Sequence, residues 1–428
     1  MSQQKKQWGA IIVMIALFAM IAFVTNLCTP MATIIKNQGP ISNVLAQIGN
    51  YGNFVAYLVM GIPAGMLIAK FGYKKTALIG LAVGILGIGL QYVSGLIDQV
   101  DPVTGEHTNL GVVFGVYLCG AFIAGLCMCI LNCVVNPMLN ILGGGGNKGN
   151  QLIQLGGVFN SSAAVACYIL MGALIADITK AQISSATPAL MIALGIFVVA
   201  FVVICFTKIE EPEQAPVEIK QVGEALSYRH FALGALAIFL YMGIEVGVPN
   251  FVQQYLVNDF GMAAGTVGLI VAVYWFMMLI GRLVGASIGS KISARTMITC
   301  VSTATLVLVL FGMFAPSSVL IPFPGVDWGT LTMVWSDLPL GIVAFLLVGL
   351  CTSVMWGAIF NLAVEGLGKY TAIASGIFMT MVFGCAVMMF IQAAVADAVG
   401  YIQSYWVVVA CAAYVLFYGL VGSRPAKK

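Results

Sequence analysis

One carboxylate and a scatter of amides stand in this sequence where solvent should not reach. Glu245 lies about fifteen residues into an apolar stretch that opens near residue 230, which at about 1.5 Å per helical residue puts it near mid-membrane depth. A charge at the centre of a bilayer costs about 2.5–3.5 kcal/mol on insertion scales. Desolvation penalises the ionised form of any carboxyl, which makes Glu245 a candidate proton carrier; the plainer alternative is a structural acid bonded to a neighbouring helix. Asn26, Thr29, Asn132, Asn136, Asn160, Asn250, Gln253, Gln254, Asn361 and Gln392 also interrupt apolar runs. An amide both donates and accepts, which suits a ring of hydroxyls better than a charged ligand, although amides also join helices to one another. No Lys or Arg is expected at mid-depth to receive an anion.

The elements that must hold these groups follow from composition. Of 428 residues 61% are apolar and 8% charged, with mean hydropathy +1.04; soluble chains are about a quarter charged. A soluble enzyme is excluded. Apolar stretches broken by charge, Pro and Gly predict helical spans over 8–35, 46–69, 74–97, 110–141, 150–177, 188–207, 230–256, 263–289, 295–315, 338–365, 371–396 and 401–422. No stretch alternates as an outer-membrane barrel strand would. The first span is longer than a signal-peptide core and is expected to be retained. Net charge +3 argues against nucleic acid as a partner. The cysteines all sit in apolar runs without metal or disulfide spacing, and even the cluster Cys127, Cys129 and Cys133 reads as small helix residues. His107 and His230 fall at loops or helix ends. No buried His, metal cluster or nucleophile–base pair points to an enzyme.

Charge placement sets the orientation. With both termini cytoplasmic, only Lys36 and Lys180 of the eighteen basic residues fall outside. The longest polar break, 208–229, holds five of the fifteen acids and reads as a cytoplasmic linker between an N-terminal bundle (1–207) and a C-terminal bundle (230–428). The breaks 98–109 and 316–337 carry no basic residue and read as outer connections, the second with Trp328 and Trp335 at the interface. Gly143–Gly146 lacks a preceding strand and a following Lys-Ser/Thr, so it reads as a connector, not a phosphate loop. Gly61/Gly65 and Gly281/Gly285/Gly289 form small-residue faces for close helix approach. Pro30, Pro63, Pro137 and Pro249 should bend their helices.

The two halves repeat weakly at matching places. NPMLNILG (136–143) aligns with NLAVEGLG (361–368), each followed by a helix ending Ala-Asp at 176–177 and 396–397. GMLIAKFGYKK (65–75) has its counterpart in GRLVGASIGSKISAR (281–295). This pattern resembles the major facilitator superfamily. More narrowly, IPAGMLIAKFGYKK (62–75), Asn136-Pro137, Phe159-Asn160-Ser161, GIEVGVPNFVQQYL (243–256) and LAVEGLGKYTAIASG (362–376) resemble the fucose:proton symporter family of sugar permeases. The chain departs from that family's pattern at three places. Thr29 and Asn132 stand where membrane-embedded carboxylates are usual and Gly157 stands where a Gln is usual, whereas Ala69, in place of the superfamily's loop acid, is common in this family.

The resemblance implies an all-α membrane protein, with twelve transmembrane helices in two pseudo-symmetric six-helix bundles. It implies import of a monosaccharide, a hexose or deoxyhexose, by alternating access across a bacterial inner membrane. The partners it implies are the sugar and membrane lipid, with the chain a monomer and no cofactor. Coupling to a proton or sodium would fall to Glu245, the one remaining carrier; an uncoupled facilitator is the main alternative and efflux of other small polar molecules a lesser one. Spans one, four, five, seven, ten and eleven would line the cavity, and they carry the amides, whereas the third, sixth, ninth and twelfth are nearly free of them, with Gln91 near an end. Tyr57, Tyr241, Trp275 and Trp356 would stack on the sugar, or simply pack helices. Lys74, Lys75, Arg282, Glu365 and Lys369 are expected at cytoplasmic helix ends, where they would latch the bundles or merely be solvated.

Overall fold

The computed structural model describes residues 7–36, 42, 44, 48–97, 99, 108–143, 146–175, 183–209, 220–288, 292–327, 332–367 and 370–424, apart from some side chains within these ranges. Among the expectations above, the side chain of Thr29 and residues His107, Asp177, Lys180, Trp328, Gly289, Gly368 and Lys369 lie outside the described part, as do residues 210–219 of the 208–229 break.

The N-terminal helices are α1 (Trp8–Lys36), α2 (Ile48–Leu96), α3 (Leu110–Leu142), α4 (Gly146–Leu174) and α5 (Thr187–Phe206). A short α6 (Lys220–Leu226) leads into α7 (Arg229–Asn258), α8 (Ala264–Ile288), α9 (Ala294–Phe314) and α10 (Leu340–Val364). The chain then runs through α11 (Thr371–Met381), α12 (Gly384–Val399) and α13 (Trp406–Phe417). Ten stretches among the described residues are long and apolar enough to cross a membrane.

The helix α2 merges two of the spans read from sequence. At 49 residues it would be about 73 Å long, more than twice the hydrocarbon core. It is broken at Gly72, whose φ of 79° lies where a side chain is strained. Just past the break, Lys74 Nζ donates to the carbonyls of Cys205 (3.0 Å) and Thr207 (2.8 Å). Those carbonyls end α5, where a helix leaves acceptors unsatisfied and favours a cation. The expected eleventh span is likewise interrupted, at Val382–Phe383 between α11 and α12.

The 316–337 connection, read from sequence only as an outer break, has regular structure. It forms an antiparallel hairpin, β1 (Leu320–Asp327) with β2 (Thr332–Pro339), in register from Leu320 opposite Pro339 to Asp327 opposite Thr332. Short β-branched and aromatic runs satisfy their backbone by pairing there. Trp335 is exposed on β2 and β1 lies against α8.

Packing follows small residues. The helices α2 and α3 share the most extensive contact, and α1 lies on α3 and α4. In the C-terminal part α10 packs on α7, α8 and α9. The two parts meet where α4 lies on α8 and where α2 lies on α11 and α12. A Cβ at Gly87 would run into the backbone nitrogen of Ala124, whereas one at Gly89 on the same helix meets nothing within 4 Å. Gly87→Ala should therefore lower the melting midpoint of the detergent-solubilised protein, at a cost of about 1–3 kcal/mol. Gly89→Ala should leave it unchanged or raise it slightly, since Ala is the better helix former. Equal losses from both would remove the α2–α3 seam from this account.

Candidate functional site

Glu245 sits midway along α7, as its spacing requires. Opposite it, on α8, is Arg282, with Nη2 3.9 Å from Glu245 Oε1 and the two side chains only 13% and 14% exposed. The same guanidinium reaches α4. Its Nη1 donates to the carbonyl of Gly157, to Ser161 Oγ at 2.9 Å and to Asn160 Oδ1 at 3.3 Å. Asn160 uses its Nδ2 on the Phe18 carbonyl of α1 (2.9 Å). Glu245, Arg282 and Asn160 therefore connect four helices through side chains.

This corrects the reading of Arg282 as a residue at the cytoplasmic helix end, and with it the expectation that no basic group stands deep in the membrane. The helix α8 continues past Arg282 to Ile288. Helical side chains tilt toward the helix N-terminus, so the long arginine stem carries its charge back toward the middle of α8. Of the other groups expected at gates, Lys75 is exposed and Lys74 caps α5 within the N-terminal helices. Glu365 follows the end of α10, and its carbonyl lies 2.8 Å from His230 Nε2 at the start of α7.

The aromatic groups assemble beside the ion pair. Tyr241, one turn before Glu245, lies beside the carboxylate. Its hydroxyl also faces the Thr352 carbonyl at 3.3 Å, and its ring lies 6.3 Å from that of half-buried Trp356. Trp275 stands edge-on to Tyr274 at 5.4 Å, and its buried indole N–H has no partner among the described residues. Tyr274 in turn meets Thr352 Oγ1 at 3.2 Å.

The remaining amides fall into other groups. Asn132 Nδ2 donates to the Tyr57 hydroxyl at 3.0 Å, and Asn136 bonds back to the Asn132 carbonyl at 3.1 Å. Asn26 likewise spends a donor on its own helix, on Ala22 at 2.8 Å. On α7 Asn250 is buried against Met389 Sδ (3.5 Å) with its Oδ1 unpartnered among the described residues. Gln253 and Gln254 are buried nearby, and Gln392 reaches Ser404 Oγ at 3.4 Å. Asn361 is exposed near the end of α10, apart from the Glu245 cluster.

Sequence reasoning noticed Ser161 only as part of a motif and missed Tyr274 and Thr352. Hydroxyls are common in apolar helices, where they bond back to their own carbonyls, as Thr352 does at 3.1 Å to Gly349. The pairing of Tyr241 with Glu245 was available, since four residues apart is one helix face. Among the described residues no three His, Cys, Asp or Glu side chains could hold a metal ion. A cavity of about 580 Å³ opens elsewhere, between α6, His230 and Tyr370.

An apolar helical chain whose two halves meet around a buried polar cluster is the architecture of a membrane transporter. Residues 10–389 match the Major Facilitator Superfamily, and the chain belongs to that family of transporters. It is 28% identical to a glucose/galactose transporter of Brucella abortus over 433 residues, 99% of this chain and 96% of that one. It is 22% identical to the L-fucose-proton symporter of Escherichia coli over 440 residues, covering 96% and 92%. A crystal structure of the E. coli fucose:proton symporter superposes with a TM-score of 0.68 at 20% identity, over 96% of this chain and 97% of that one. A D-xylose-proton symporter superposes with a TM-score of 0.69 at 11% identity, over 97% and 98%. These last two likenesses establish the fold.

Removing one member of a buried ion pair strands the other and costs about 3–5 kcal/mol. Arg282→Met, which leaves Glu245 alone, should lower the melting midpoint sharply. Glu245→Gln should lower it less, because the guanidinium keeps three oxygens on α4. The double variant should recover most of the loss of Arg282→Met, and additive losses would show that the pair is not coupled.

Proposed function

We propose that this chain imports a monosaccharide, a hexose or deoxyhexose, by alternating access, with uptake driven by a proton through Glu245. In this reading two six-helix bundles, 1–207 and 230–428, rock about the mid-membrane polar cluster with the 208–229 segment as linker. Twelve crossings and cytoplasmic termini follow if α2 crosses twice, which keeps nearly all basic residues on one side. The membrane is then the bacterial inner membrane, with the chain a monomer that needs no cofactor.

The observation that carries the reading is the position of Glu245, a buried carboxylate of α7 connected through Arg282 to α4. An ionisable side chain inside a membrane span is costly and marks an ion or substrate path. Support for sugar comes from the chemistry around it. Asn160, Asn132, Asn136, Asn250, Gln253, Gln392 and Asn26 are assigned to hydroxyl recognition, and Tyr57, Tyr241, Trp275 and Trp356 to the apolar face of the ring. The spare indole N–H of Trp275 and the spare Oδ1 of Asn250 are groups a sugar hydroxyl could satisfy. Thr29 and Asn361 are assigned to the cavity lining. Relatives named for glucose, galactose and fucose, matched over nearly their whole length, point the same way. Lys74, Lys75, Glu365 and Lys369 remain assigned to the cytoplasmic gates.

Arg282 favours a second reading, an uncoupled facilitator. Its guanidinium neutralises Glu245 in place, so an empty carrier need not bind a proton before it reorients. Proteoliposomes loaded at one pH and diluted into another separate the two readings. Labelled D-glucose, D-galactose or L-fucose should accumulate above its outside concentration when the outside is acidic. Glu245→Gln should abolish accumulation while leaving sugar counterflow. Simple equilibration in the unaltered protein would establish the facilitator, accumulation driven only by a sodium gradient would replace the proton, and no uptake of any of the three sugars would overturn the assignment.

A further inference from the structure

Gly157 stands where the related pattern carries a polar side chain, and Arg282 occupies the space that this leaves. A Cβ at Gly157 would lie 3.3 Å from both Cδ and Nη1 of Arg282 and 3.5 Å from its Nε. These are the three nearest heavy atoms, so a side chain at this position would push against the arginine before anything else. The guanidinium thus lies over bare backbone, and Nη1 shares itself among the Gly157 carbonyl, Asn160 Oδ1 and Ser161 Oγ.

Glu245 holds the same guanidinium from the other side. Among the described residues Tyr241 on α7 and Tyr274 on α8 are the titratable groups that neighbour the pair, and Tyr274 in turn neighbours Cys351 on α10 and Tyr168 on α4. The groups of α4 that touch Arg282 are neutral oxygens.

We propose that Arg282 is a positioning residue that ties the charge of Glu245 to the contact between α4 and α8. The inference rests on Glu245 being the group whose charge changes during transport. When Glu245 is ionised, Arg282 has a full counter-charge within its own part of the protein, and separation of α4 from α8 leaves it compensated. When Glu245 is neutral, that counter-charge is gone and the three oxygens on α4 become the cation's main acceptors, so separation would leave it poorly compensated in an apolar interior. Neutralising Glu245 therefore favours the docked arrangement, because the two arrangements then differ in what they offer the guanidinium. Gly157 acts in this device as the opening through which the arginine reaches α4.

Hydrogen–deuterium exchange on the intact protein in detergent tests this, read on peptides spanning 150–160 and 278–288. Glu245→Gln should lower deuterium uptake in both segments, and Gly157→Val should raise it. The double variant should behave like Gly157→Val alone, because an arginine that cannot dock no longer senses residue 245. Gly157→Ala should give the same sign at smaller amplitude, which covers the case in which the valine variant does not fold. Arg282→Lys should reduce the response to Glu245→Gln without reversing it, since an ammonium cannot reach three spread oxygens as a planar guanidinium does. Shifts of the same sign in Glu245→Gln and Gly157→Val, or additive shifts in the double variant, would overturn the proposal. Proton-driven accumulation is read separately in vesicles. Its absence alongside this exchange pattern would remove the proton from the reading and leave the arginine device standing.

Discussion

The burial of the Glu245–Arg282 pair constrains most of what surrounds it. A lone charge at that depth is costly, and even a pair must satisfy its leftover donors, since desolvation of both ions can exceed their attraction. Arg282 brings five N–H donors, and Glu245 cannot accept them all. The surplus is taken by α4, which must come close enough to present a bare carbonyl and two side-chain oxygens. The approach of α4 to α8 is thus dictated by chemistry as well as by shape. Asn160 extends the requirement to α1 through its bond to the Phe18 carbonyl.

The rest of the framework allows that approach without fixing it. Helices in lipid gain little from hydrophobic contact with one another and rely on close packing of small residues. Gly87 brings α2 onto α3, and Gly349 of α10 lies so near the Tyr274 carbonyl of α8 that a Cβ would collide with it. These seams lie within each part of the protein. Between the parts, α4–α8 is bridged by a charge with hydrogen bonds, while α2 meets α11 at Gly61 and Thr380 and α12 at an edge-on ring pair, Tyr51 and Phe390, 5.7 Å apart. A contact made by hydrogen bonds with one side chain can be broken and remade, which would suit the proposed alternating access.

Much of this was legible in the sequence, and the failures have physical causes. Helix positions followed from hydropathy, since a span must be long and nearly uncharged. Two adjoining spans merged because the break between them is one glycine, Gly72, and hydropathy does not register a single backbone angle. The hairpin at 320–339 was missed because its alternation is short and interrupted by Pro322 and Pro324. Glu245 was legible because an acid in an apolar run is conspicuous. Arg282 was misplaced because it precedes a basic loop, and distance along the chain says nothing of how far a flexible side chain reaches back. Gly157 stood out only as a departure from the related pattern, and its consequence could not be read: an absent side chain has meaning only when its neighbour is known.

Glu245, paired with Arg282, is proposed to carry the proton that drives sugar uptake, so its carboxyl should respond to sugar. Infrared difference spectroscopy on reconstituted membranes, with and without D-galactose, D-glucose or L-fucose, observes that carboxyl directly. The account predicts a sugar-induced carboxyl band in the unaltered protein that shifts in deuterated water and vanishes in Glu245→Gln. A sugar-induced band that persists in Glu245→Gln, or sugar binding with no carboxyl band at all, would contradict it.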